Sequence, residues 1–289
     1  MSLLLFHTDT DAVQGVTQLH DDVFVICEWS STILTFNAIT HQRTQLPEIR
    51  KVHESLRWPF DIAACEKASR LYLVDSGFVW RIMDMSTGSA SIERWMPKTA
   101  SAEFSPYTLS VTSTRLLVTS REPARLTQFD ADGKKLISVQ LPDYMEPHQA
   151  VESPSGTFVV SYYNTETTLD QISQVNQKGE VIDDEKSINE SRRIDPVPYV
   201  AGESEAHNRR RSLGLPSHVA VDSRGNIFVA DTEKHCILLL DAELTLRRVI
   251  VDEHQLNYDQ PLRLCYVERT GQLLVALKKS VAVFDVCRH

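Results

Sequence analysis

Several sequence signatures of enzymes are missing from this chain. Glycine supplies only 10 of 289 residues, and no glycine-rich phosphate loop, GxSxG or HExxH motif occurs. The five cysteines are an odd number and include no CxxC pair, so neither a disulfide framework nor a zinc-finger spacing is indicated. We interpret the cysteines as buried, reduced thiols.

Long apolar runs and an excess of positive charge are also missing. No stretch approaches the roughly 20 apolar residues of a membrane-spanning helix, and Leu3–Phe6 is too short for a signal peptide. The formal net charge of −9 argues against a general polyanion-binding surface. We therefore expect a cytoplasmic domain without membrane contact that is monomeric as a domain.

A repeated unit is present instead, and it is clearest in residues 216–231, which read PSHVAVDSRGNIFVAD. Each unit has a short apolar run, a turn and a second, strongly apolar run. The second runs begin at six places with spacings of 42 to 48 residues, apart from one spacing of 69: Val23, Leu71, Leu116, Phe158, Ile227 and Leu273. This period is typical of four-stranded propeller blades.

Two further features support a closed ring of blades. The second runs are apolar at nearly every position, as expected when both faces of a strand are covered by neighbouring blades. Residues 2–8 precede the first unit, whereas the last unit has no room for an outer strand. The sequence thus predicts an all-β, six-bladed propeller of four-stranded antiparallel blades, in which the N-terminal strand joins the last blade and closes the ring.

Residues 216–247 resemble an NHL repeat, the propeller unit of tripartite-motif (TRIM) ubiquitin ligases and, more distantly, of peptidyl-hydroxyglycine amidating lyases. The resemblance extends over essentially the whole chain, so we expect one domain of residues 1–289. The wide spacing corresponds to an insertion at about 182–212, which is rich in polar residues and contains basic clusters, including Arg209–Arg211. The insertion is either a solvated loop or a flap over one end of the channel.

Polar residues begin the inner strand of several units, and these strand starts converge around a propeller axis. The predicted ligand-binding residues come from these starts and from adjoining strand ends: Asp61, Tyr107, Thr108, Arg121, His148, Gln149, Tyr162, His218 and Arg263. Such a group offers both hydrogen-bond donors and acceptors, which suits an anionic or amphoteric group of a peptide. The alternative is ordinary polar lining of a water-filled channel.

Metal chemistry is poorly supported by the same positions. Pro147-His148 resembles the segment by which amidating lyases offer a histidine to zinc, but the equivalent positions Phe60, Tyr107, Ser217 and Leu262 supply no second histidine. A calcium-dependent lactonase would need several oxygen ligands around the axis, and only Asp61 and Gln149 qualify there. Acidic residues that end second strands, such as Asp75 and Asp231, are expected to cap turns. We expect no cofactor and no metal.

The sequence therefore favours a non-catalytic propeller that recognises a peptide or protein partner at the channel mouth. RNA binding, as in some NHL domains of TRIM proteins, is the less favoured alternative, since Arg121, Arg263, Lys278, Lys279 and the Arg209 cluster are its main contributors. A metal-dependent propeller enzyme, either a lyase or a lactonase, is the second alternative.

Overall fold

Each of the six sequence units forms one four-stranded antiparallel sheet. The computed structural model describes residues 4–7, 12–27, 33–40, 42–45, 59–75, 77–83, 91–95, 105–184 and 216–286. Blade 1 contains β2 (Val13–Leu19), β3 (Asp22–Cys27), β4 (Ile33–Asn37) and β5 (Arg43–Gln45). Blade 2 contains β6 (Asp61–Cys65), β7 (Arg70–Val74), β8 (Val79–Met83) and β9 (Ser91–Arg94). Blade 3 contains β10 (Pro106–Thr112), β11 (Arg115–Ser120), β12 (Arg125–Phe129) and β13 (Lys135–Gln140).

The remaining three blades repeat this order from the innermost strand outward. Blade 4 contains β14 (Met145–Glu152), β15 (Phe158–Asn164), β16 (Leu169–Val175) and β17 (Val181–Asp184). Blade 5 contains β18 (Pro216–Val221), β19 (Ile227–Asp231), β20 (Cys236–Leu240) and β21 (Leu246–Val251). Blade 6 contains β22 (Arg263–Val267), β23 (Gln272–Ala276) and β24 (Ser280–Asp285), and β1 (Leu4–His7) is its outer strand. A 3-10 turn at Glu66–Ala68 is the one helical element of the described residues. None of the described helical segments has the length and apolar character of a membrane crossing.

Ring closure occurs through the N-terminal strand, as predicted. Strand β1 pairs antiparallel with β24, with Leu4 opposite Val283 and His7 opposite Ser280. The Phe6 side chain is 5% exposed, and its ring centroid lies 4.8 Å from that of Phe36 in blade 1. The closing strand therefore supplies both the outer pairing of blade 6 and a packing contact to the next blade.

The hydrophobic core lies between blades, because the second strands bury side chains on both of their faces. Every residue of β19 is buried, and β7 is buried from Leu71 to Val74. At the interface of blades 2 and 3, Trp95 contacts the rings of Tyr72 and Phe129 with centroid distances of 5.2 and 5.4 Å. Continuous β-branched and aromatic runs thus form strands because each face meets a neighbouring blade.

The inner strands line a central channel whose two ends are named here. The upper mouth is the end at which the inner strands begin, and the lower face is formed by the turns that follow them. Inner strands of successive blades are in contact around the whole ring, including the pair from blades 6 and 1. Of the predicted insertion at 182–212, only residues up to 184 fall in the described part of the chain, where they belong to β17.

Candidate functional site

A β-bulge follows the first residues of the inner strand in four of the six blades. The pairing register shifts between Val13 and Gly15, Pro106 and Thr108, Pro147 and Gln149, and Pro216 and His218. Pro106, Pro147 and Pro216 lie within their strands, immediately before the bulge. A proline is tolerated there because a bulge interrupts the ladder of hydrogen bonds.

The bulge separates two tiers of side chains at the upper mouth. The bulged residues Tyr107, His148 and Ser217 are partly exposed, whereas the next residues, Thr108, Gln149 and His218, are buried. We call the second tier the axial ring, and its members occupy equivalent register positions in the six blades: Gly15, Asp61, Thr108, Gln149, His218 and Arg263. All of these residues except Gly15 are among the predicted ligand-binding residues.

Hydrogen bonds connect the axial ring from blade to blade. Asp61 Oδ2 accepts a bond from the backbone N–H of Leu109 at 2.8 Å, and Gln149 Nε2 donates to the Leu109 carbonyl at 3.1 Å. Thr108 Oγ1 donates to the carbonyl of His148 at 3.0 Å. Blades 2, 3 and 4 are thereby held in a fixed relative position at the level of the axial ring.

His218 is held as a neutral imidazole. Its Nδ1 accepts a 3.2 Å hydrogen bond from the backbone N–H of Leu264, so the ring proton is on Nε2. Burial lowers the pKa of His218 well below its usual value, and the nearby Arg263 guanidinium lowers it further. His218 therefore offers a hydrogen-bond donor at neutral pH without carrying a charge.

Asp61 and Arg263 supply opposite charges to the axial ring. Asp61 is 3% exposed, and burial raises its pKa to about 6, although Arg263 and two backbone N–H groups oppose the shift. Arg263 donates through Nη1 to the carbonyl of Leu262, while its buried Nε has no hydrogen-bond partner among the described residues. The Nε donor of Arg263 is therefore buried and unpaired among the described residues.

The upper tier contains a second arginine in a network that spans blades 3 and 4. Arg121 Nη2 lies 3.0 Å from Nδ1 of His148, and Arg121 Nε donates to the carbonyl of Pro147 at 3.2 Å. The guanidinium carbon is 3.8 Å from the centroid of the Tyr107 ring, which is a cation–π geometry. Tyr107 and His148 thus hold an exposed positive charge over the channel.

His148 is occupied at both ring nitrogens. Because Arg121 can only donate, it bonds the lone pair of Nδ1, and the proton on Nε2 is directed to Asp170 Oδ1 at 2.7 Å. Burial lowers the pKa of His148, while Asp170 partly opposes this shift. An imidazole in this tautomer has no free lone pair for a zinc ion or for proton abstraction.

Two residues differ from the sequence-based expectation. Tyr162 is 2% exposed, and its hydroxyl bonds Gln171 and Ser173 inside blade 4, so its side chain does not reach the mouth. Asp170, which holds His148, was not predicted, since it is 22 residues away in sequence and starts no inner strand. The remaining predicted residues lie at the upper mouth or in the axial ring.

The acidic ends of second strands serve as turn caps, as predicted. Asp75 Oδ1 accepts bonds from the backbone N–H groups of Gly77 and Phe78, and its Oδ2 accepts one from Trp80 Nε1 at 2.9 Å. Asp231 Oδ1 accepts from the N–H of Lys234. Within the described ranges, no three His, Cys, Asp or Glu side chains are grouped closely enough to hold a metal ion.

Comparisons with known proteins agree with this architecture. The family model described as NHL repeat matches residues 213–238. No curated protein matches the chain by sequence. Among solved structures, virginiamycin B lyase from Staphylococcus aureus is similar with a TM-score of 0.61 and 10% identity, over 98% of each chain.

Two other solved structures show how widely the architecture is shared. A putative oxidoreductase (glucose dehydrogenase) from a Thermus species has a TM-score of 0.62 and 13% identity, over 98% of this chain and all of that one. YCF48 bound to D1 peptide has a TM-score of 0.56 and 12% identity, over 94% of this chain and 77% of that chain. At such low identity these similarities concern the fold alone. The chain is thus a six-bladed β-propeller containing an NHL repeat.

Proposed function

We propose that the upper mouth binds an acidic group of a peptide or protein partner and that the propeller is a non-catalytic recognition domain. One observation carries this proposal. Arg121 and Arg263 both lie at the mouth, and neither forms an ion pair with a carboxylate in the part of the chain that the structure describes. A guanidinium that forms no ion pair with an internal carboxylate is suited to bind one from outside, and this holds most clearly for Arg121, because Arg263 already interacts electrostatically with Asp61.

The surroundings of the two arginines suit a peptide better than a single ion. Tyr107 presents a half-buried aromatic ring beside Arg121, and Phe60 is 37% exposed at the equivalent mouth position of blade 2. Aromatic residues next to an arginine are typical of the centres of protein interfaces. The likeness to a propeller solved with a bound peptide is consistent with this use of the fold.

The same geometry gives less support to the alternatives. RNA binding would need several cations aligned along a backbone, whereas the overall charge is −9 and the described mouth contributes few basic side chains. A lyase with His148 as metal ligand would require the imidazole to break its bonds to Arg121 and Asp170. We therefore place the enzyme and RNA functions behind peptide recognition, and we propose a cytoplasmic, monomeric domain that comprises the whole chain.

A peptide array tests the proposal directly. The array presents acidic sequences, their Asn and Gln counterparts, and each peptide with a free or an amidated C-terminus. We expect the wild-type protein to select acidic peptides or free carboxylates and the Arg121→Ala/Arg263→Ala variant to lose them. Arg248→Ala, an exposed arginine on outer strand β21, is the matched control. Selection that is indifferent to the double substitution would refute the proposal.

A further inference from the structure

Three contacts hold the guanidinium of Arg121 in one orientation at the upper mouth. Its Nε donates to the carbonyl of Pro147 at 3.2 Å, and its Nη2 lies 3.0 Å from Nδ1 of His148. The ring of Tyr107 covers one face of the guanidinium, with 3.8 Å between the ring centroid and the guanidinium carbon. Contacts within the protein therefore fix both the plane of this side chain and its rotation in that plane.

These contacts occupy one edge of the guanidinium and leave another edge open. A planar guanidinium carries five N–H groups, of which Nε–H and one Nη2–H point to the same side. Pro147 and His148 take that side, because their acceptor atoms meet Nε and Nη2. The end edge consists of Nη1 and the second Nη2–H, and Arg121 is exposed. Two parallel N–H groups on such an edge match the two oxygens of a planar carboxylate.

The contact to His148 depends on the form of its imidazole. Since a guanidinium can only donate, Nδ1 must keep its lone pair and the ring proton must lie on Nε2. His148 Nε2 is 2.7 Å from Asp170 Oδ1, which accepts that proton. Burial lowers the pKa of His148, so the ring is neutral at neutral pH. Asp170 thereby selects the one imidazole form that can bind Arg121.

Asp170 has no second partner that would explain its position. It lies in β16, and its side chain is 13% exposed. The bulge after Pro147 turns His148 out of the ladder between β14 and β15, where the carboxylate meets it. No other side chain of the described ranges bonds the Asp170 carboxylate. A largely buried carboxylate is costly without a partner, and His148 is the partner that compensates for this burial.

We infer that Asp170 is a positioning residue for partner binding: through His148 it holds the Nη1–Nη2 edge of Arg121 towards the partner, and this edge binds a planar carboxylate with two parallel hydrogen bonds. The inference rests on the proposed function of the upper mouth. It has a consequence that charge alone does not predict. Asp170 and an acidic peptide carry charges of the same sign, so simple electrostatics predicts tighter binding when Asp170 is removed. Positioning predicts weaker binding.

Two variants of nearly equal size separate positioning from charge. Asp170→Leu removes the acceptor for His148 and should weaken the array-selected acidic peptide by about tenfold, because Arg121 is no longer held in its binding orientation. Asp170→Asn keeps an oxygen acceptor and should bind the peptide at least as tightly as the wild type. Glu166→Leu, exposed in the turn before β16, removes a charge from the same blade and should cause no loss. Fluorescence anisotropy measures all three. Undiminished binding by Asp170→Leu, or an equal loss in Asp170→Asn, would overturn the inference.

Arg121→Lys tests the two-bond geometry. A lysine keeps the positive charge but has no planar edge, so peptide affinity should fall by about tenfold, close to the loss in Arg121→Ala. Arg248→Lys on outer strand β21 is the matched control and should leave the affinity unchanged. Wild-type affinity in Arg121→Lys would contradict binding of the carboxylate along a guanidinium edge.

NMR of the free protein tests the positioning without any peptide. The signal of the Arg121 Nε–H group, assigned by its loss in Arg121→Lys, reports how firmly the guanidinium is held. Its exchange with solvent should be slow in the wild type and in Asp170→Asn, and faster by about tenfold in Asp170→Leu. Unchanged exchange in Asp170→Leu would overturn the positioning role even where acidic peptides bind. The expected response in a wild-type protein that selects no acidic peptide would refute the proposed function while supporting the positioning of Arg121 by Asp170.

Discussion

Arginines flank both ends of the central channel, but among the described residues only those at the lower face form salt bridges with carboxylates. At that face, Arg115 pairs with Glu152 at 2.7 Å, and Arg269 pairs with Asp21 at 2.9 Å and with Glu66 at 3.6 Å. At the upper mouth, Arg121 is bonded to a neutral imidazole and a carbonyl. The lower arginines are therefore already neutralised, whereas Arg121 forms no such ion pair and is the side chain that we propose to bind a partner.

This difference distinguishes arginines that stabilise the fold from those that we propose to bind a partner. Glu152 is 5% exposed and bonds both Arg115 and Gln128, so its partners compensate for the burial of a carboxylate. Arg263 has the reverse arrangement, since a buried donor atom is left without an acceptor. A paired charge stabilises the ring, and we propose that the arginines without an ion pair at the upper mouth contribute to partner binding.

Opening the ring should have the largest effect, because it disturbs both faces. Deletion of residues 1–9 removes β1, exposes the edge of β24 and uncovers Phe36. We expect loss of cooperative thermal unfolding, measured by calorimetry. Phe6→Ala keeps the strand and should cost only about 3 kcal/mol, by loss of buried aromatic surface. A deletion variant with an unchanged melting transition would disprove closure by β1.

The pH dependence of the unfolding free energy should reveal the titration of the Asp61 carboxyl. Its pKa rises from 3.8 in the unfolded reference to about 6 in the folded state. The folded state therefore binds the proton more tightly, and the associated stabilisation is lost as the pH rises from about 4 through about 6. Relative to Asp61→Asn, the wild type should lose on the order of 2–3 kcal/mol of unfolding free energy between pH 4 and pH 7.

Urea unfolding of both proteins across this pH range measures that effect. His218 acts in the opposite direction, because its lowered pKa favours the unfolded state as the pH falls. The comparison with Asp61→Asn cancels this contribution, since both proteins retain His218. Parallel curves for the two proteins would show that the carboxyl does not titrate as proposed.

Replacement of one arginine at each face separates effects on peptide binding from effects on stability. Arg121→Ala should weaken an array-selected acidic peptide by about 1.5–3 kcal/mol, because a charge-assisted hydrogen bond is lost. Arg115→Ala should leave peptide affinity unchanged but lower the free energy of unfolding by about 1–3 kcal/mol, because Glu152 stays buried without its partner. Calorimetric titration and urea unfolding of both variants distinguish these outcomes; the opposite pattern would invert our assignment of the faces.

Salt should have the smallest effect on binding. A peptide held by one or two exposed ion pairs should weaken by about tenfold or less between roughly 50 and 200 mM salt, whereas a nucleic acid bound through six or more phosphates should weaken by ~10³-fold or more. Fluorescence anisotropy with the array-selected peptide and a random RNA oligonucleotide measures both slopes. Tight RNA binding with the steep slope would favour the alternative function.

The sequence repeat was sufficient to predict the blades, the ring closure and the equivalence of the axial-ring positions, because each depends on periodic apolar runs. It was insufficient for the bulges, which depend on how the backbone pairs after Pro106, Pro147 and Pro216. The bulges decide which of two adjacent residues faces outward. For this reason Tyr107 and Thr108 were predicted together, although one belongs to the mouth and the other to the buried ring.

The contacts of two side chains could not be predicted from the repeat. Tyr162 ends a second strand in sequence, yet its hydroxyl finds Gln171 and Ser173 on the neighbouring strand and turns inward. Asp170 has no signal in the repeat, because its role depends on the cross-strand position of His148. Contacts of this kind follow from strand register and rotamer choice, which apolar periodicity does not specify.

Hydrogen–deuterium exchange with and without the array-selected acidic peptide shows which face of the propeller the peptide covers. We expect protection of backbone amides at the upper mouth, in segments 107–109, 121–122, 148–149 and 262–264. Segments 112–115, 152–156 and 267–271 of the lower face should exchange at unchanged rates. Protection confined to the lower face would contradict the proposal that Arg121 and Arg263 form the recognition site.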